Sequence, residues 1–75
     1  MLNEEIAKTF ENMSRVLAFK NEDRFRIIAY ERAAVSLRDL NVDLATVSER
    51  GELEEIPGIG KDLAGMIQEY IRMST

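Results

Sequence analysis

The first segment of the chain carries apolar residues at the spacing of an amphipathic α-helix. Four of them follow one another at steps of four, three and four positions, which places them on one stripe of a helix: Ile6, Phe10, Met13 and Leu17. The pattern predicts a helix that begins near Asn3, with the Asn3 side chain as its N-cap.

A polar run, Lys20-Asn21-Glu22-Asp23, then favours a turn, because short polar side chains bond their own backbone. Asp23 is a suitable N-cap for a second helix from about Arg24 to Arg38. Within it, Ala33 and Ala34 would let a neighbouring helix approach closely. The core face predicted for this helix consists of Phe25, Ile28, Ala29, Val35 and Leu37.

The second half of the chain predicts further short helices. Leu44 and Val47 lie at helical spacing within 40–50, and Gly51 follows them as a left-handed C′ residue. Leu53 and Ile56 begin another apolar stripe, which Pro57 stops. The stripe resumes with Leu63, Ala64, Ile67 and Ile71. Because no window alternates apolar and polar residues as a strand does, the fold class is all-α, a small bundle of four to five short helices.

Composition narrows the chemistry. With 75 residues the chain forms one domain, and it contains no Cys and no His, which excludes thiolate zinc sites and Cys or His nucleophiles. Acidic residues open the chain, and no apolar run approaches the length of a membrane span. We therefore expect a cytoplasmic protein with no membrane partner.

Charge is unevenly distributed along the chain. The formal net charge is −4, yet between Arg15 and Arg38 six basic residues face three acids, a local balance of +3. Between Asp39 and Thr75 three basic residues face eight acids, a balance of −5. The middle of the chain is therefore the part suited to an anionic partner.

The sequence Pro57-Gly58-Ile59-Gly60 opens directly onto a predicted helix. Two glycines allow positive φ and close approach of a ligand, so that the amides of Gly58, Gly60 and Lys61 can converge on an anion at the helix N-terminus. Ile59 would anchor the turn in the core. The alternative is an ordinary structural corner between two helices.

These residues resemble the helix-hairpin-helix motif: Leu53-x-x-Ile56-Pro57-Gly58-Ile59-Gly60-x-x-x-Ala64-x-x-Ile67. The resemblance implies a grip on the DNA phosphate backbone without base reading. The implied donors are the backbone amides of Gly58, Gly60, Lys61 and Asp62. It also implies a monovalent cation, K⁺ or Na⁺, held by the backbone carbonyls of Glu54, Ile56 and Ile59; no other cofactor is expected.

A wider resemblance covers nearly the whole chain. The segments Asn3-Glu4-Glu5-Ile6-Ala7 and Phe25-Arg26-Ile27-Ile28-Ala29-Tyr30-x-Arg32-Ala33-Ala34, followed by the hairpin, are similar to the N-terminal domain of bacterial and archaeal family X DNA polymerases and, more distantly, of the polymerase beta branch. This implies that residues 1–75 are a DNA-binding domain excised from a DNA repair polymerase of the prokaryotic nucleoid. Such a domain holds gapped or nicked duplex by the 5′-phosphate and precedes C-terminal polymerase domains.

The polymerase beta branch also removes 5′-deoxyribose phosphate through a Schiff-base lysine. Met66 occupies that position here, and a thioether cannot attack an aldehyde carbon. Asp62 stands where a supporting lysine binds phosphate, and its charge would repel that ligand. We therefore expect this chain not to be an enzyme by itself, and borohydride to trap no adduct on DNA carrying 5′-deoxyribose phosphate.

Other positions of the implied phosphate pocket are retained. Arg26 matches the 5′-phosphate cation and Tyr30 the pocket tyrosine, with Arg24 as a further DNA contact. For Tyr30 the alternative is a half-buried core residue with its hydroxyl in water. Phe25 matches a residue that stacks on a template base, although its helical phase favours core packing.

The arginines of the second helix, which include Arg32 and Arg38, would either line a DNA groove or pair with the abundant acids. The run Glu52, Glu54, Glu55 is expected to be solvated. A competing function is a helical protein-interaction module that binds a basic partner and no DNA.

Overall fold

A computed structural model describes residues 2–21 and 23–74. This part of the chain contains four α-helices and one 3₁₀ turn and no strand, which confirms the all-α prediction. The helices are α1 (Asn3–Phe19), α2 (Arg24–Asp39), α3 (Leu44–Glu49) and α4 (Lys61–Met73), and the 3₁₀ turn spans Leu53–Glu55. None of these helices combines the length and apolar character that a membrane span needs.

The pairing of α1 with α2 is the most extensive helix contact of the described residues. Ala7 of α1 and Ala33 and Ala34 of α2 are at most 1% exposed, so that small side chains let the two backbones approach. The predicted α1 stripe is confirmed, since Ile6 and Phe10 are buried and Met13 and Leu17 pack against the core.

Asp23 caps α2 as predicted, because its carboxylate accepts a hydrogen bond from the amide of Phe25 at 2.9 Å. Asn21, in the turn before it, has a φ of 57°, a conformation that asparagine tolerates. Glu22, the third residue of the predicted turn, lies outside the described residues. The prediction of a turn at this point is confirmed for the residues around it.

The Asn3 cap is wrong. Asn3 is the first residue of α1 and lies buried, and its amide group bonds the start of α3. Its Oδ1 accepts from the amide of Leu44 at 2.9 Å, and its Nδ2 donates to the carbonyl of Val42 at 2.8 Å. Its side chain is therefore a tertiary contact between α1 and the α2–α3 connection.

The predicted core face of α2 is also wrong for four of its five residues. Phe25 is 84% exposed, and Ile28, Ala29 and Val35 are exposed as well, whereas Leu37 is buried. The buried stripe of α2 consists of Tyr30, Ala33, Ala34 and Leu37. Because α2 carries apolar residues on all sides, its own pattern does not determine which side packs; the close fit of its alanines to α1 does.

Gly51 takes the left-handed C′ position after α3, with φ 69°. The amide of Gly51 donates to Ser48 O at 3.0 Å and that of Glu52 to Val47 O at 3.1 Å, the bond pair of a Schellman motif. The motif turns the chain into the 3₁₀ turn, whose Leu53 is buried, and thereby delivers residues 56–60 to the side of α2.

Candidate nucleic-acid interface

The hairpin between the 3₁₀ turn and α4 is held from both sides by buried apolar residues. Ile56 and Ile59 are 5% and 3% exposed, which confirms the predicted anchoring role of Ile59. The amide of Ile59 donates to the carbonyl of Ile56 at 3.0 Å and closes the turn around Pro57 and Gly58. The segment before the hairpin is a single 3₁₀ turn rather than the predicted helix.

The two hairpin glycines have different conformations. Gly58 has a φ of 83°, which requires glycine. Gly60 is extended, with φ −89° and ψ −172°, so the expectation of positive φ at both glycines is wrong for Gly60. A Cβ added at Gly60 would have no neighbour within 4 Å. Gly60 therefore leaves open space at the start of α4.

The amides of Gly58, Gly60, Lys61 and Asp62 donate to no acceptor among the residues that the structure describes. The first hydrogen bond of α4 runs from Ala64 to the carbonyl of Gly60 at 2.9 Å, and Gly60 has no side chain with which to cap the helix. These donors therefore lie at the positive end of the α4 dipole. Lys61 adds an exposed positive charge there.

A cleft of about 300 Å³ lies beside this end of α4. Its lining includes Arg26 and Tyr30 from α2 and Asp62 and Met66 from α4, all four of which the family X resemblance assigns to one pocket. The phase of α2 thus brings Arg26 and Tyr30 against the helix that begins at the hairpin. Arg24 does not line this cleft.

Tyr30 is more deeply buried than expected. It is 8% exposed, its ring lies 5.7 Å from that of Phe10, and its hydroxyl contacts Met66 Sδ at 3.8 Å. The ring of Tyr30 therefore belongs to the core, and its hydroxyl has a sulfur acceptor within the protein. Met66, which the family X resemblance aligns with the Schiff-base lysine, forms the wall against which this hydroxyl packs.

Three of the four candidate arginines of α2 are exposed and have no carboxylate within 4.0 Å in the described part of the chain: Arg24, Arg26 and Arg32. Arg38 is different, because its guanidinium pairs with Glu4 at 3.2 Å and with Glu11. The hydrogen bond from Arg38 lowers the pKa of the Glu11 carboxyl, and the same bond raises the pKa of Arg38. Arg38 is thus engaged in an ion pair between α1 and α2.

The acidic run beside the hairpin is solvated as predicted. Glu54 and Glu55 are exposed, Glu52 is half-buried, and none of the three pairs with a cation among the described residues. Nor do the described residues contain a cluster of acids able to hold a metal ion. The hairpin therefore presents its amides next to negative charge, which the nearby cations must offset if an anion is to bind.

Two further residues lie against the hairpin. A Cβ at Gly58 would lie 3.8 Å from Arg32 Cβ and 3.9 Å from Ser36 Oγ. From the sequence alone, Arg32 is one of four candidate arginines of α2, and Ser36 is not a candidate. Their separation of four residues places both on one face of α2, but only the tertiary structure brings Gly58 to that face.

The whole chain matches a family model described as a helix-hairpin-helix domain, over residues 1–75. The protein belongs to the helix-hairpin-helix family. Domains of this family generally bind DNA without sequence specificity. The sequence matches no curated protein. The helix-hairpin-helix prediction is confirmed, and the finer assignment to family X polymerases stays a prediction.

Proposed function

We propose that this domain binds DNA without sequence specificity by taking a backbone phosphate at the hairpin. The observation that carries the proposal is the set of unpartnered amides at Gly58, Gly60, Lys61 and Asp62, at the start of a 13-residue helix. Because Ile56 and Ile59 are buried, the donors are fixed before a ligand arrives, which lowers the entropic cost of binding. The helix dipole and the Lys61 charge favour a phosphate at this place.

We further propose that the domain positions a family X repair polymerase on gapped or nicked DNA by holding the 5′-phosphate in the cleft beside α4. Arg26 lines that cleft with its charge unpaired among the described residues, and Tyr30 forms its wall. Arg24 supplies an additional exposed cation on the first turn of α2. Since Met66 replaces the Schiff-base lysine, the domain binds this end without lyase chemistry.

The carbonyl oxygens proposed to hold K⁺ or Na⁺ have the chemistry that such cations need. Those of Glu54 and Ile59 accept no backbone hydrogen bond in the described part of the chain, and that of Ile56 accepts one, from Ile59. When bound, the cation would supply positive charge that offsets the acidic run. The protein's own contribution is to fix the carbonyls of Ile56 and Ile59 at the two ends of the closed turn and that of Glu54 in the 3₁₀ turn before it.

The test compares two glycine variants whose added Cβ meets open space. Gly60→Ala places a methyl group at the proposed phosphate contact without φ strain, whereas Gly65→Ala places one within α4. The measurements are amide chemical shifts and affinity for a gapped duplex with a 5′-phosphate. Gly58→Ala is less useful, because its φ of 83° would add strain of about 1–2 kcal/mol.

We expect the hairpin amides to shift on addition of DNA, and the micromolar or poorer affinity to fall with salt at a slope of about −3 for three to four neutralised phosphates. Gly60→Ala should weaken binding by about tenfold or more, the effect of losing one hydrogen bond to a charged group, which is about 1.5–3 kcal/mol, whereas Gly65→Ala should not. Unmoved amide resonances, or affinity independent of salt, would contradict the proposal.

A second candidate, a helical protein-interaction module, is favoured by the groove between α1 and α4. Ile6, Phe10 and Met13 line it from α1, and Met66 and Met73 from α4. Methionine-rich grooves accept helical partners of varied shape. The Gly60→Ala variant separates the two functions, since a module of this kind would keep its protein partner.

A further inference from the structure

A second cleft lies where the hairpin meets α2, and it shares no lining residue with the cleft that Arg26 lines. Arg32 and Ser36 of α2 form one wall and Pro57 and Gly58 the other, around a volume of about 520 Å³. Pro57 and Gly58 belong to both the hairpin and this cleft, and of the two only Gly58 has an amide that can donate. Because it has no side chain, the space between its amide and the two α2 side chains stays open.

Arg32 and Ser36, the polar groups that α2 places beside Gly58, have no hydrogen-bond or ion-pair partner among the described residues. Arg32 is exposed and has no carboxylate within 4.0 Å in the described residues, in contrast to Arg38, which binds Glu4 and Glu11. The half-buried Ser36 hydroxyl makes no hydrogen bond there either. The hydroxyls of Ser14 and Ser74, by contrast, donate to carbonyls of their own helices.

We propose that this cleft is a second phosphate site, which takes the phosphodiester next to the one held by the hairpin amides. The Arg32 guanidinium would form charge-assisted hydrogen bonds with a phosphate oxygen, and Ser36 would donate its hydroxyl. Successive phosphates of a strand are one nucleotide apart, and Gly58 borders both sites, so one strand can reach both. The inference rests on the proposed DNA binding.

Glu31 also lines the cleft, so the proposal predicts opposite changes in DNA affinity when Glu31 and Arg32 are neutralised. A carboxylate beside a phosphate site opposes binding, so its neutralisation must strengthen affinity, whereas neutralisation of Arg32 must weaken it. If the cleft instead took a cationic protein segment, neither substitution would change the affinity for DNA appreciably. Opposite responses of two adjacent residues therefore identify the charge of the ligand.

The experiment measures the affinity of the whole chain for a gapped duplex by fluorescence anisotropy over a range of salt concentrations. The variants are Arg32→Ala, Arg32→Lys and Glu31→Gln, and the charge-matched control is Lys8→Ala, an exposed cation of α1 that does not line the cleft. All three positions are exposed, and urea unfolding of each variant checks the fold.

Arg32→Ala should lower affinity roughly eightfold near about 0.1 M salt and reduce the salt slope by about 0.9, with Arg32→Lys recovering part of the loss. Glu31→Gln should raise affinity, and Lys8→Ala should change it less than about twofold. If Arg32→Ala behaves like Lys8→Ala while the hairpin amides still respond to DNA, the second site is refuted and the proposed function stands. If the wild-type chain binds no DNA, both fail.

Discussion

At the scale of single residues, the side-chain amide of Asn3 connects distant parts of the chain. It serves as acceptor for Leu44 N and as donor to Val42 O, about forty positions away. The carboxylate of Asp43 accepts from the amide of Ala45 at 3.1 Å, so two side chains satisfy the start of α3. A helix of six residues depends on such contacts, because it is too short to be stable by itself.

We therefore expect Asn3→Ala to lower the free energy of unfolding by about 1–3 kcal/mol, since a buried donor and acceptor lose their partner. Urea unfolding measures the change. The control is Asn12→Ala, in the exposed part of α1, which should stay within about 0.5 kcal/mol of wild type. Equal effects of the two substitutions would show that the Asn3 bonds add nothing to stability.

Phe25 is a large aromatic residue of α2 that lies outside the core. With 84% of its surface exposed, it contributes little to the core, and the base-stacking role that the family X resemblance implies stays a prediction. Phe19, at the end of α1, is 92% exposed. Both aromatic rings flank the α1–α2 turn, in the basic part of the chain.

At the scale of elements, a glycine at the end of a helix and a glycine inside one differ in backbone conformation. Gly51 ends α3 with positive φ, whereas Gly65 lies inside α4 with helical neighbours on both sides. A Cβ added to either residue would meet nothing within 4 Å. Steric space is thus equal at the two sites, and only backbone conformation distinguishes them.

Gly65→Ala should raise the free energy of unfolding by about 0.5–1 kcal/mol, because alanine loses less backbone entropy in a helix. Gly51→Ala should lower it by about 1–2 kcal/mol, because a Cβ strains the left-handed conformation. Urea midpoints of the two variants give the comparison. A destabilising Gly65→Ala would mean that the α1–α4 groove is narrower in solution than in the structure.

At the scale of the whole molecule, charge is divided between two tasks. Arg38 links α2 to Glu4 and Glu11 of α1, whereas Arg26 and Arg32 lie next to the hairpin without a carboxylate partner among the described residues. One set of charges supports the helix pairing, and the other is available to a ligand. A net charge of −4 therefore does not prevent a local site for an anion.

The Arg38–Glu11 pair predicts a pH dependence of stability. Its hydrogen bond lowers the pKa of Glu11 in the folded state, so the pair stabilises fully above the ordinary glutamate pKa of 4.5, and this contribution is lost as the pH falls through the lowered pKa. Glu11→Gln should be less stable than wild type at neutral pH and equal to it at about pH 2.

Urea unfolding at both pH values tests this expectation. The control is Glu49→Gln, which removes an exposed carboxylate that has no ion pair with the described residues. It should leave stability nearly unchanged at neutral pH. A difference between wild type and Glu11→Gln that persists undiminished in acid would contradict the ion-pair explanation.

The sequence by itself determined the features that depend on near neighbours. The Asp23 cap, the Gly51 C′ residue, the stripes of α1 and α4 and the Pro57–Gly60 turn follow from interactions within a few positions, and they suffice to identify the hairpin. The core face of α2, the partners of Asn3 and the approach of Gly58 to Arg32 were decided by the tertiary structure alone. In each case the residues nearby in sequence are compatible with more than one packed face or partner, and the packing of the helices against one another determines which is formed.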